Sequence, residues 1–73
     1  MENIISVLIT KLTNGYSAFS YEAYGVTSSN SIEEAKDDFT ELLNKYTDYL
    51  MSVGETEKAW ELKESKIIYY ISL

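Results

Sequence analysis

The chain has 73 residues and a net charge of −6, from six lysines, no arginine and twelve carboxylates. It contains no cysteine and no histidine, which removes disulfides, thiolate metal sites and the commonest general base. The absence of arginine weighs against direct nucleic-acid binding, and no apolar run approaches the roughly 18 residues of a membrane span. We therefore expect a single cytoplasmic domain over residues 1–73.

The first predicted element is a strand from Asn3 to Leu12, because β-branched and apolar residues alternate along it. Asn14-Gly15 follows and predicts the central residues of a type I′ hairpin turn. A second strand is predicted from Tyr16 to Tyr21 and a short third strand from Tyr24 to Thr27. These three segments predict the beginning of a small, mostly antiparallel sheet.

A long amphipathic helix is predicted from Ile32 to about Val53, because apolar residues recur at three- and four-residue steps. Ser31 and Glu34 have the spacing of a capping box, in which the serine oxygen accepts from the N–H of Glu34. Gly54 suits the position just after the helix. At 1.5 Å per residue the helix is about 30 Å long, enough to cross a small sheet.

The segment 55–66 carries many charges and is compatible with either a turn of helix or an extended linker. Ile67 to Leu73 is predicted as the last strand, parallel or antiparallel to the first according to how segment 55–66 turns. The element order is therefore β-β-β-α-β. This order predicts an α+β fold with one long helix packed on one face of the sheet.

Both faces of the predicted first strand are substantially apolar, yet a single helix covers only one face of a sheet. The other face, or the edge of the last strand, needs a cover from elsewhere. We therefore expect a homo-oligomer, dimeric or higher, or a protein partner. The predicted interface residues are Ile4, Leu8, Tyr16, Phe19, Tyr21, Trp60, Ile68 and Tyr70.

Paired carboxylates occur at Glu33-Glu34 and Asp37-Asp38, where a metal site is one interpretation. A solvated face that the positive end of the helix dipole favours is the stronger interpretation. The serines lack a histidine or a lysine base nearby in sequence, and no glycine-rich phosphate loop is present. We predict no catalytic, cofactor or metal site, and no enzyme; a small carboxylate-and-metal hydrolase is the weakest of three hypotheses.

Several segments at matching offsets resemble the HicB-like antitoxin family. They are the strand Ile4–Leu12, Gly15-Tyr16-Ser17-Ala18, the glycine at position 25, the helix start Ser31-Ile32-Glu33-Glu34-Ala35, and the late strand Lys66-Ile67-Ile68-Tyr69-Tyr70. The resemblance covers nearly the whole chain. Members usually carry a proline before the glycine and often a cysteine after it, whereas this chain has Tyr24-Gly25-Val26.

The resemblance implies a partly degraded ribonuclease-H-like domain without catalytic residues. It also implies an antitoxin that sequesters HicA, a small basic RNA-cleaving toxin, by covering its active face. Many members carry a C-terminal DNA-binding domain, and we expect none in this chain. The alternative function is an oligomerisation or sensing domain of a transcriptional regulator with no toxin partner.

Overall fold

The computed structural model describes residues 3–23, 25 and 27–72. The described residues form the strands β1 (Ile4–Leu12), β2 (Gly15–Phe19) and β3 (Lys66–Ser72), and the helices α1 (Ile32–Ser52) and α2 (Thr56–Glu64). The strands form one mixed sheet in the order β2-β1-β3, with β1 antiparallel to β2 and parallel to β3. The predicted α+β fold with one long helix is confirmed, although only one of the two strand pairings is antiparallel.

The core lies between the sheet and the two helices. Three β-branched residues of β1, Ile5, Val7 and Ile9, are at most 1% exposed and point towards the helices. The 3.6-residue period of α1 brings one apolar stripe against them. The buried helical residues are Ala35, Phe39, Leu43, Thr47 and Leu50 from α1, with Ala59 and Leu62 from α2.

The hairpin between β1 and β2 turns one residue earlier than predicted. Leu12 pairs with Gly15, so the two loop residues are Thr13 and Asn14, and the prediction of Asn14-Gly15 was wrong. Gly15 instead begins β2, where a Cβ atom would collide with the carbonyl oxygen of Ser29. Glycine is therefore required at this position by the close approach of a neighbouring backbone.

The predicted third strand, Tyr24 to Thr27, is not a strand at its described residues, Gly25 and Thr27, while Tyr24 and Val26 lie outside the described part of the chain. The outer edge of β2 is instead covered at Ser29. The backbones of Tyr16 and Ser29 exchange two hydrogen bonds of 2.8 Å. The carbonyl of Ala18 in β2 also accepts from the N–H of Thr27, at 3.3 Å.

Helix α1 begins and ends on local signals. The hydroxyl of Ser31 accepts a hydrogen bond of 3.1 Å from the N–H of Glu34, which confirms the serine half of the predicted capping box. At the other end the N–H of Glu55 donates to the carbonyl of Leu50, and the N–H of Gly54 donates to the carbonyl of Met51. These two bonds form a Schellman motif, with Gly54 at a φ of 87°.

Segment 55–66 contains a second helix, α2, which resolves the two alternatives that the sequence left open. Ala59 and Leu62 face the core. After α2 the chain enters β3 beside β1, and the N–H of Lys66 donates to the carbonyl of Asn3 at 2.9 Å. The two helices thus carry the chain across the sheet, and β3 runs parallel to β1.

Candidate protein-binding surface

One face of the sheet has no helix packed on it within the described residues. We call this surface the open face and define it by the residues of β1, β2 and β3 that alternate with the core residues. The register places Phe19, Leu8 and Tyr70 in one row across the three strands. Ile68 lies beside Ser6, and Ile4 lies beside Lys66. The strand pairing therefore gathers apolar side chains from both ends of the chain.

The open face exposes large apolar side chains. Ile4 and Leu8 are each 45% exposed, and Tyr70 is 54% exposed. Tyr21, just after β2, is 79% exposed, and its ring packs edge-on against Phe19 with the ring centroids 5.0 Å apart. Contiguous apolar surface of this kind is typical of a protein-contact surface, with aromatic side chains as anchors.

The structure brings six of the eight predicted interface residues together on or beside the open face. These are Ile4, Leu8, Phe19, Tyr21, Ile68 and Tyr70. Tyr16 lies on the other side of the sheet, packed against the core. Trp60 lies on α2, half exposed, with the Lys63 ammonium 5.7 Å from its ring centroid. Successive side chains of a strand point to opposite faces of the sheet, so the sequence of β2 already indicates that Tyr16 and Phe19 lie on different faces.

Charge is distributed very unequally between the two sides of the protein. Residues 33–64 contain ten of the twelve carboxylates and four of the six lysines, and so carry the whole net charge of −6. We call this helical segment the acidic layer. On the open face the described strand residues contribute only Lys66 as a side chain that is charged at neutral pH. The apolar surface and the acidic surface therefore belong to different layers of the fold.

The acidic layer is anchored to the sheet by polar contacts. The hydroxyl of Ser29 donates to the carboxylate of Asp38, which fixes the segment beside β2 to α1. On the other side, the ammonium of Lys36 lies 5.1 Å from the ring centroid of Tyr69 in β3 and 3.8 Å from the carboxylate of Glu33. Asp38 therefore marks the β2 side of α1, and Lys36 marks the β3 side.

A shallow cavity of about 270 Å³ lies where the start of β1 meets α2, lined by Asn3, Glu22, Lys58, Glu61 and Ser65 among others. The Ser20 hydroxyl donates to the Glu22 carboxylate at 2.7 Å, and this bond lowers the pKa of Glu22 below its ordinary value, against a smaller opposing effect of burial. The cavity is smaller than most small-molecule sites, which span about 300–1,000 Å³.

Within residues 3–23, 25 and 27–72, no group of three or more carboxylate, histidine or cysteine side chains is placed to hold a metal ion. The described helices also include none long and apolar enough to cross a membrane. The main candidate for a functional site is therefore the open, apolar face of the sheet in this small α+β fold.

Comparison with protein-family models, with curated proteins and with solved structures gave no significant match to this chain.

Proposed function

We propose that this protein is an antitoxin-like binding module that sequesters a small, basic, RNA-cleaving protein. The observation that carries the proposal is the open face. It presents six apolar side chains from β1, β2, β3 and the residues that follow β2, beside a core that is already complete without them. Large apolar side chains that are exposed together on one surface are typical of a protein-interaction site.

The anchors for the partner are the row Phe19, Leu8 and Tyr70, with Tyr21 at one margin. Tyrosine and phenylalanine bury large areas at a low cost in side-chain entropy, which makes them suitable centres of an interface. The polar residues Thr10 and Ser17 continue the open face towards the hairpin. They provide the hydrogen-bonding rim that surrounds the apolar centre of most interfaces.

The acidic layer supports a basic partner. Its net charge of −6 attracts a cationic protein over about 8 Å in physiological salt, and so raises the association rate. Once the partner is bound, contacts with the open face hold it. The charge therefore governs encounter, and the apolar residues govern the lifetime of the complex.

The proposal is tested by co-expressing this chain with the protein encoded by the adjacent reading frame. That protein is expected to be small and basic and to arrest growth when expressed alone. Co-expression should restore growth, and the two chains should copurify as a complex that weakens as salt rises. Absence of a small basic neighbour, or failure of the two chains to copurify at low salt, contradicts the proposal.

A second candidate function is the oligomerisation or sensing domain of a transcriptional regulator without a toxin partner. It is favoured by a separate observation, the outer edge of β3. The structure pairs β3 only with β1 among the described residues. A strand edge that is left unpaired is a template for association with another chain.

A further inference from the structure

The two outer edges of the sheet differ in whether other backbone segments cover them. The outer edge of β2 is covered by three backbone hydrogen bonds, two to Ser29 and one from Thr27. The outer edge of β3 has no such cover from the described residues over the seven positions Lys66–Ser72. Natural proteins protect exposed edges with proline, bulges or inward charges, and Ile67–Ser72 contains neither proline nor any charged residue.

We infer that the outer edge of β3 pairs antiparallel with β3 of a second copy of this chain, about a two-fold axis at Tyr69. The two sheets then join into one continuous sheet of six strands. The inference deepens the second candidate function, and it uses an edge of the sheet that the proposed partner on the open face does not occupy.

The sequence of β3 is self-complementary in this register. Ile68 lies opposite Tyr70 of the second copy, and Ile67 lies opposite Ile71. Aromatic and β-branched residues form favourable cross-strand pairs. Ile71 is 48% exposed in one copy, and the pairing covers it. Lys66 lies opposite Ser72, so no like charges face each other along the strand.

The neighbouring helix also permits the approach. The β3 side of α1 carries Lys36 over Tyr69, and Lys36 is paired with Glu33, so this contact pair is neutral. The carboxylate of Asp38 points to the opposite side of α1, towards Ser29. The Lys36–Glu33 pair therefore adds no net charge at the seam, although two copies of charge −6 still repel at long range. The dimer consequently tightens as salt rises, whereas a complex with a basic partner weakens.

The absence of cysteine allows a direct test by crosslinking. In the double variant Lys66→Cys/Ser72→Cys, each new thiol lies opposite its counterpart in the second copy, at a separation that a disulfide spans. Within one copy the two positions are about 20 Å apart along an extended strand, so they cannot crosslink internally. Mild oxidation should therefore give a closed covalent dimer, without larger oligomers.

The matched control is Leu12→Cys/Val53→Cys, whose positions are 44% and 53% exposed and lie away from β3. The seam variant should crosslink about a hundredfold faster than this control, because pairing holds its thiols at a millimolar effective concentration. A second variant, Leu8→Cys, reports on face-to-face packing of two open faces. Circular dichroism confirms that each variant is folded before oxidation.

Sedimentation equilibrium of the unsubstituted chain provides a measurement that needs no variant. It should show a dimer with a dissociation constant on the order of micromolar, as expected of a small interface, and Ile71→Lys should weaken it about tenfold. Leu8→Lys should leave this dimer intact while it weakens binding of the basic partner about a hundredfold. A monomer at about 1 mM, or seam crosslinking no faster than the control, overturns the inference. Faster crosslinking through Leu8→Cys overturns it as well.

Discussion

The two faces of β1 carry similar residues and have opposite surroundings. Ile5, Val7 and Ile9 are at most 1% exposed beneath the helices, whereas Ile4 and Leu8 are each 45% exposed on the open face. Residue type alone does not distinguish the two sets. The difference arises because one pair of helices covers one side of the sheet, so the apolar residues on the other side are available for binding.

The helical layer and the open face also differ in charge. The helical layer that seals the core carries the whole net charge, while the strands contribute one lysine to the open face. A surface that serves only solubility would distribute its charge over both sides. The segregation suits a protein that attracts a basic partner with one layer and holds it with the other.

The largest expected difference between the two faces is in stability. Phe39→Ala removes a fully buried ring and should lower the free energy of unfolding by about 3–5 kcal/mol. Leu8→Ala removes a half-exposed side chain and should cost less than about 1 kcal/mol. Urea unfolding followed by circular dichroism measures both. Equal losses would mean that the open face is part of the core.

Gly15→Ala tests the covered edge of β2. The new methyl group meets the carbonyl oxygen of Ser29, so either the bridge to Tyr16 breaks or the strand shifts. We expect a loss of about 1–3 kcal/mol, typical of overpacking. Gly54→Ala is the control, since its methyl group meets nothing within 4 Å and only backbone strain of about 1 kcal/mol remains. A smaller loss for Gly15→Ala would show that Ser29 does not protect this edge.

Ser31→Ala should have a moderate effect, confined to the start of the covering helix. It removes the acceptor for the N–H of Glu34 and should cost about 1 kcal/mol. Ser31→Asp restores an acceptor and should recover most of that loss. Hydrogen exchange of the first turn of α1 should rise in the alanine variant alone. No change in exchange or stability would contradict the role of the cap.

The smallest expected effect is a pH dependence at Glu22. Its pKa is lowered in the folded state, first by the hydrogen bond from Ser20, so the charged form favours folding. This contribution is complete above the ordinary value of 4.5 and is lost as pH falls through the lowered folded pKa. Because Glu22 is exposed, the effect is small. Glu22→Gln should flatten the stability profile below pH 4.5 relative to the parent chain; superimposable profiles would contradict it.

Much of the fold could be predicted because the sequence patterns of neighbouring residues indicate the same strands and helix that the structure contains. The alternation in β1, the cap at Ser31 and the glycine after α1 each specify structure through neighbouring residues. The open face could be predicted from the same alternation, once a single covering layer was assumed. Six of its predicted residues lie together for that reason.

The remaining features depend on contacts between segments that are distant in sequence. The hairpin turns at Thr13 and Asn14, and Gly15 in β2 approaches the backbone of Ser29, a contact that no short window of sequence contains. Helix α2 is short and highly charged, and its place is fixed by burial of Ala59 and Leu62. Tyr16 packs against the core because it lies two residues before the fully buried Ala18, on the same face of β2.

The most direct test of the central claim measures binding of the adjacent-frame basic protein to Leu8→Lys and to Leu12→Lys. The two leucines lie on the same strand and are 45% and 44% exposed, so the substitutions match in chemistry and in exposure. Leu8 lies in the row with Phe19 and Tyr70, whereas Leu12 lies on the same face at its hairpin end, outside that row. Titration calorimetry should show about a hundredfold weaker binding for Leu8→Lys and a change below about threefold for Leu12→Lys. Equal affinities for the two variants would contradict binding centred on the row of Phe19, Leu8 and Tyr70.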